Sequence, residues 1–296
     1  MMICMKINEN MNSPFFILGN PRSGTSLFRL MLNSHPNIIV PPESGFLQWW
    51  HEKYKNWSKK NSQNTIDVEE YVHDILNSKK IEDWNLIRQE LINKINRLNP
   101  SNYGELSSII YCCYNKFKSD IDLIGDKNNY YIHHLDLINS IYPNAKYIHL
   151  IRDGRDVACS YKKIKSLQTN SKYKPDLVFK IKDIALEWSE NNFKIEKFLN
   201  NKMSLKIRYE DLLIDPIFYL SKVCKYLEIP FHSQMLDFYK VEFNDEPKST
   251  IDWKKKTFEP LDKNNSKKYL TLLSNEEIDS FNQICKKYLL KNNYEL

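Results

Sequence analysis

The stretch Gly19-Asn20-Pro21-Arg22-Ser23-Gly24-Thr25-Ser26 has the frame of a phosphate-binding loop, two glycines bracketing four residues with a pair of hydroxyls behind them. Such a loop turns its backbone N–H groups inward as an anion nest, and the helix that follows adds its positive dipole end at the same spot. A nucleoside-triphosphate enzyme places lysine after the second glycine, to span the terminal phosphates beside a hydroxyl-bound Mg²⁺. Here that position holds Thr25, and a guanidinium, Arg22, sits inside the loop instead. Its planar fork suits two oxygens of one terminal group. The loop is therefore expected to hold the 5′ end of a nucleotide and to handle its terminal group without the usual Lys–Mg²⁺ pair.

A second cationic anchor lies in Arg152-Asp153-Gly154-Arg155-Asp156-Val157-Ala158-Cys159-Ser160. Arg152 leaves the end of an apolar run, and Ser160 falls about two turns into the helix expected after it. Arg155 and Asp156 read as a local salt bridge or loop brace. Any hydroxyl that attacks an electrophile must lose a proton, and a positioned carboxylate or His can take it. Glu43, just past Ile38-Ile39-Val40-Pro41-Pro42, is the first candidate, and the pair His133-His134 the second. Adjacent His residues on a helix point in different directions, so they are not expected to share a metal. They read as structural first, as do His35 and His149, and no metal site is expected.

These residues need a scaffold that brings them together. Phe15–Leu18 and Tyr147–Ile151 are short, fully apolar strands; Ile38–Val40, Leu123–Gly125 and Leu205–Tyr209 are three more. Helices are expected after Gly24 and after Arg152, over Leu177–Leu199 and Ile217–Leu227, and from the capping box Ser274-Asn275-Glu276-Glu277 onward. Buried strands alternating with helices predict an α/β fold, a parallel sheet covered by helices on both faces, with ligands at the carboxyl ends of the strands. Between about residues 48 and 120 the chain turns Trp-rich and helical in spacing, which reads as an insertion within a single domain spanning 15–296, behind a tail at 1–14.

With 296 residues, 42% apolar and 27% charged, the chain has ample core. A net charge of +6 suits a small polyanionic ligand and is too weak and dispersed to argue for nucleic acid. The six Cys lack metal-ligand spacing and read as reduced thiols. No apolar run is long enough to span a bilayer, and the start has no apolar core of signal-peptide length, so the expectation is a cytoplasmic protein.

The run Pro21-Arg22-Ser23-Gly24-Thr25-Ser26-Leu27 resembles the 5′-phosphosulfate loop P-R-S-G-T-[ST]-L of the sulfotransferase superfamily, whose donor is 3′-phosphoadenosine 5′-phosphosulfate (PAPS). The likeness extends from Phe15 to about Leu273 and implies a P-loop NTPase-like three-layer sandwich. It implies that Arg22, Ser23, Gly24, Thr25 and Ser26 hold the 5′-phosphate and the bridging oxygen. The segment from Arg152 to Ser160 is similar to the family's R-D-[PG]-R-x-x-x-x-S, in which the Arg and the Ser bind the 3′-phosphate. A further Arg, four residues after the Ser in some relatives, is replaced here by Ile164. In tyrosine-sulfating members a Glu at the place of Glu43 is the general base. Lys127, in Gly125-Asp126-Lys127, stands where relatives carry G-D-K-[TS]-P, although Asn128-Asn129 follows it here. It would neutralise charge growing on the bridging oxygen. Tyr209, in Arg208-Tyr209-Glu210-Asp211-Leu212, matches [VI]-x-Y-E-[DQ]-L and would pack on or bond to the donor. The cationic stretch Ser249–Lys256 reads as a flexible cover for the adenosine.

Sulfuryl carries less charge than phosphoryl, which accounts for a loop without lysine. The reading is in-line sulfuryl transfer from PAPS to a hydroxyl or amine of a carbohydrate, a small molecule or a peptide tyrosine. The alternatives are a P-loop nucleotide kinase, disfavoured by Thr25 and distinguished by Mg²⁺ dependence, and a binding protein without turnover, disfavoured by the joint presence of Arg22, Glu43 and Lys127.

Overall fold

A computed structural model describes residues 13–114, 118, 121–240 and 248–296; most of the N-terminal tail and the end of the expected insertion lie outside them. Five strands form one sheet in the order β2-β3-β1-β4-β5, with β1 Phe15–Leu18, β2 Ile38–Ile39, β3 Leu123–Lys127, β4 Tyr147–Ile151 and β5 Ser204–Arg208. Every neighbouring pair is parallel, with Ile17 opposite Lys127 on one side and Ile148 on the other. The carboxyl ends of β1, β3 and β4 are thereby aligned, which puts the loop, Lys127 and Arg152 on one edge of the sheet.

Strand alternation decides the layers. Phe15 and Ile17 point into a core with Ile148, Leu150 and Ile207, closed by helix α1 (Thr25–Asn33) and the helix Pro216–Leu227. Phe16 and Leu18 point the other way and meet Tyr147, Tyr131 and the buried faces of helices Thr65–Leu76, Arg88–Leu98 and Tyr103–Tyr114. A third cluster, around Trp188 and Phe281, binds the long helix Ile181–Leu199 to the terminal helix Asn275–Lys291. The result is a three-layer α/β sandwich of the expected type.

The local signals held at most boundaries. Ser274 and Glu277 form a reciprocal capping box, and Asp215 caps Pro216–Leu227 from the position before a first-turn proline. The long helix begins later than its apolar spacing suggested. Lys180 is extended, with ψ 134°, so Leu177 packs into the core from the connecting segment and Phe179 is exposed. Cys112, Cys113, Cys159, Cys224 and Cys285 are free thiols. Among the described residues no helix is long and apolar enough to cross a membrane.

Candidate active site

The loop between β1 and α1 is held in an unusual backbone conformation. Arg22 (φ 69°) and Gly24 (φ 91°) both occupy the left-handed region, and Ser23 N–H between them donates to Asn20 O at 3.1 Å. A left-handed arginine costs on the order of 1 kcal/mol and persists only where its surroundings fix it. They do so here. Asn20 Nδ2 donates to Tyr161 Oη at 3.2 Å, and Asn20 Oδ1 accepts from Asn191 Nδ2 at 2.8 Å. Gly24 is required twice over, for its dihedral and for space, because a Cβ there would stand 2.3 Å from the Tyr209 ring.

The two sequence anchors meet directly. Arg22 Nε donates to Ser160 Oγ at 3.1 Å, and its Nη2 donates to Trp253 O at 2.9 Å. Arg152 Nη1 donates to Arg22 O at 3.3 Å, Nη2 to Asn265 O at 3.1 Å, and the guanidinium lies 4.6 Å from the Tyr209 ring centroid. Burial and the neighbouring Arg152 push the Arg22 guanidinium down to about 10. Two polar atoms, Ser23 Oγ and Arg152 Nε, are buried with no hydrogen-bond partner. Crowded cations together with orphaned donors fit a multivalent anion, since unpaired buried polar groups are costly unless a ligand satisfies them.

Beside this anion cradle stands an ion pair. Lys127 Nζ, at the end of β3, is 2.6 Å from Glu43 Oε1 and 3.3 Å from Ser26 Oγ. Lys80 Nζ approaches Glu43 Oε2 at 3.7 Å. Burial acts to raise the Glu43 carboxyl, but Lys127, Lys80 and Lys254 together hold it well below the usual carboxylate range. Thr25 Oγ1 donates to Asn129 Oδ1 at 3.1 Å, so the hydroxyl at the lysine position is tied to the segment after Lys127. The adjacent Asp126 points to the opposite face, where Tyr131 Oη donates to it at 2.5 Å and Tyr111 also donates. Burial raises the Asp126 carboxyl to about 6.

Arg22 to Ser26, Glu43, Lys127, Arg152, Ser160 and Tyr209 thus lie along one edge of the sheet, whereas His133 and His134, the other candidates for the base, line a groove beside the end of the helix Ile181–Leu199. The brace residues separate from the edge group. Arg155 pairs with Asp153 at 2.7 Å, and Asp156 Oδ1 accepts from Tyr269 N at 3.1 Å. His149 is buried against Asn192 and pushed down to about 4 by burial; His35 bonds to Pro230 O. Among the described residues no group of three or more His, Cys, Asp or Glu is arranged to hold a metal.

Sequence reasoning missed Lys80 and Lys268, and it placed Lys254 and Lys256 only within a cationic stretch without linking them to Glu43 or Arg152. Lys80 comes from a left-handed turn (φ 64°) between insertion helices and reaches Glu43. Residues 248–258, which hold the cationic stretch expected to cover the adenosine, form two short 3₁₀ helices and bring buried Lys254 close enough to act on Glu43. Lys268 is pushed down to about 8 by burial, Lys256 and Arg152, and donates to Asn265, whose Nδ2 bonds to Tyr209 Oη at 2.6 Å. None of these lies in an element with a periodic pattern, so only the tertiary fold reveals them.

Residues 14–233 match the model of the Sulfotransferase family. Protein-tyrosine sulfotransferase A of Caenorhabditis elegans is 25% identical over 239 residues, covering 77% of this chain and 53% of the relative. Protein-tyrosine sulfotransferase 1 of Danio rerio is 25% identical over 246 residues, covering 78% and 60%. The chain therefore spans only about half to three-fifths of the length of these relatives. The sulfotransferase domain from the curacin biosynthetic pathway superposes with a TM-score of 0.62 at 21% identity, covering 96% of this chain and 98% of that one. The sulfotransferase domain of the Synechococcus PCC 7002 olefin synthase gives 0.61 at 22%, covering 96% of each; both likenesses speak to the fold. The matched region holds the loop, Glu43, Lys127, Arg152, Ser160 and Tyr209, and the chain belongs to the sulfotransferase family.

Proposed function

We propose that the protein transfers a sulfuryl group from PAPS to an acceptor hydroxyl or amine, with Glu43 as general base and Lys127 as the cation on the leaving oxygen. The observation that carries this reading is the meeting of the two anchors, Arg22 with Ser160 and Arg152 with the Arg22 carbonyl, where Ser23 Oγ and Arg152 Nε are buried without partners, and with the Lys127–Glu43 pair reaching Ser26 of the same loop.

Arg22, Ser23, Gly24, Thr25 and Ser26 would hold the 5′-phosphosulfate at the start of α1. Arg152 and Ser160, joined by Lys256 and Lys268, would take the 3′-phosphate. Tyr209 fixes the position of Arg152 through its ring and that of Asn265 through its hydroxyl. The donor supplies an electrophilic sulfur and a stable phosphate leaving group. In the transfer, the acceptor oxygen forms a bond to sulfur and the bond from sulfur to the bridging oxygen breaks. Glu43 takes the acceptor proton, and Lys127 faces the charge left on the bridging oxygen. Glu43 starts ionised because three ammonium groups surround it. The chemistry asks for no lysine after the second loop glycine, where Thr25 stands, and a kinase reading is not favoured. The names of the relatives support a tyrosine or similar hydroxyl as acceptor.

Calorimetric titration tests the reading. 3′-Phosphoadenosine 5′-phosphate, the desulfated donor, is expected to bind without added metal and far more tightly than ATP with Mg²⁺. Preference for ATP–Mg²⁺ would overturn it.

A further inference from the structure

A groove of about 640 Å³ opens between residues 132–137 and the carboxyl-terminal end of the helix Ile181–Leu199, and none of its lining residues belongs to the candidate active site. Its inner surface is apolar: Ile132 and Leu135 are buried, and Phe198 is half-buried with its ring edge-on to Tyr147 at 5.2 Å. Its outer surface is cationic. Lys194, Lys197 and Lys202 line it with His133 and His134, against a single carboxylate, Asp136.

The charges there are not neutralised locally. Some surface lysines elsewhere, Lys53, Lys146, Lys162, Lys206 and Lys291 among them, pair with a carboxylate at 2.6–2.7 Å. Among the described residues, Lys194 and Lys197 have no such partner. Lys202 bonds only to the neutral Asn139 Oδ1 at 2.7 Å, and its ammonium lies 4.8 Å from the Phe198 ring centroid. An apolar floor under unpaired ammonium groups matches one ligand chemistry, an anionic head on an apolar body, in which the head gains charge-assisted hydrogen bonds and the body covers the ring.

We propose that this groove is a second binding site, for an organic sulfate or phosphate ester, with the ester head on Lys194, Lys197 and Lys202 and the apolar body against Phe198 and Leu135. The site stands whether or not the donor reading does, since it shares no residue with it. The chemistry of the head is common to both esters, so the test separates them. 4-Nitrophenyl sulfate and 4-nitrophenyl phosphate are titrated into the protein by calorimetry in mildly acidic buffer, where the control 4-nitrophenol keeps its proton and is uncharged, with the donor cleft blocked by 3′-phosphoadenosine 5′-phosphate.

Binding of at least one ester in preference to 4-nitrophenol is expected, weakened about tenfold or more in the double variant Lys194→Met/Lys197→Met. Lys202→Met, a separate change on the same rim, is expected to weaken it as well. The ester that binds more tightly identifies the head group. Unchanged thermal midpoints and unchanged nucleotide affinity in both variants would show that the loss is local. Equal binding of 4-nitrophenol, no ester binding, or ester binding untouched by either variant would overturn the proposal.

Discussion

Arg152 and Arg155 leave the same strand end, both are buried, and they are treated in opposite ways. Arg155 is saturated. Its Nε and Nη2 fork onto Asp153 at 3.0 and 2.7 Å, Nη1 reaches Asn282 Oδ1, Nη2 also reaches Glu295 O, and the guanidinium stacks 4.0 Å from the Tyr269 ring. Arg152 is left short. It has two carbonyls, a ring, an unpaired Nε, and an Asp156 oxygen at 3.9 Å, beyond hydrogen-bond distance. Arg155 is neutralised by a close carboxylate within the fold, whereas Arg152 is held mainly by neutral groups with its nearest carboxylate at 3.9 Å, as the proposed role in binding an anion asks. Neighbours on β3 divide differently. Asp126 is occupied by two neutral tyrosine hydroxyls, while Lys127 is paired with Glu43 at 2.6 Å beside the loop.

Three variants sharpen or break that contrast. The largest effect is expected on turnover. Glu43→Gln should lower kcat by about 10²- to 10⁴-fold with donor affinity retained, and an undiminished rate would remove Glu43 as base. Because Lys127, Lys80 and Lys254 hold this carboxyl low, the acid limb of kcat/KM, which reports the free enzyme, is expected below the ordinary carboxylate range. With donor bound and Lys127 drawn toward it, the limb of kcat should lie higher. Next is stability. Arg155→Ala leaves Asp153 buried without its partner and should cost about 3–5 kcal/mol in a denaturant titration, while folded protein keeps its nucleotide affinity. Smallest in free energy is Arg152→Ala, expected to weaken 3′-phosphoadenosine 5′-phosphate about 100-fold by loss of two charge-assisted bonds, with the unfolding midpoint nearly unchanged. If Arg152→Ala unfolds the protein and Arg155→Ala spares it, the assignment of roles is inverted.

The sequence could carry the donor side because both anchors are local. A loop between a strand and a helix, and a strand end followed by a helix, fix their residues within one short segment of chain. It carried the separation of Arg152 from Arg155 for the same reason, since Asp153 is a near neighbour. What surrounds Glu43 was not legible. Lys80, Lys127 and Lys254 come from three distant segments, and only the packing of the insertion and of residues 248–258 against the sheet edge brings their charges onto one carboxylate. The late start of the long helix was likewise hidden, because Leu177 and Phe179 keep a helical spacing that Lys180 interrupts.

The clasp between Lys127 and Glu43 bears on the sequence of events in a catalytic cycle. An acceptor that arrives first meets a carboxylate whose lone pairs are already engaged by an ammonium at 2.6 Å. A donor that arrives first offers that ammonium a competing negative charge and loosens its hold on the carboxylate. On the proposed reading, the pair acts as an interlock. Proton abstraction is disabled until the leaving group is in place, and the steady-state kinetics should follow a compulsory order with the nucleotide leading.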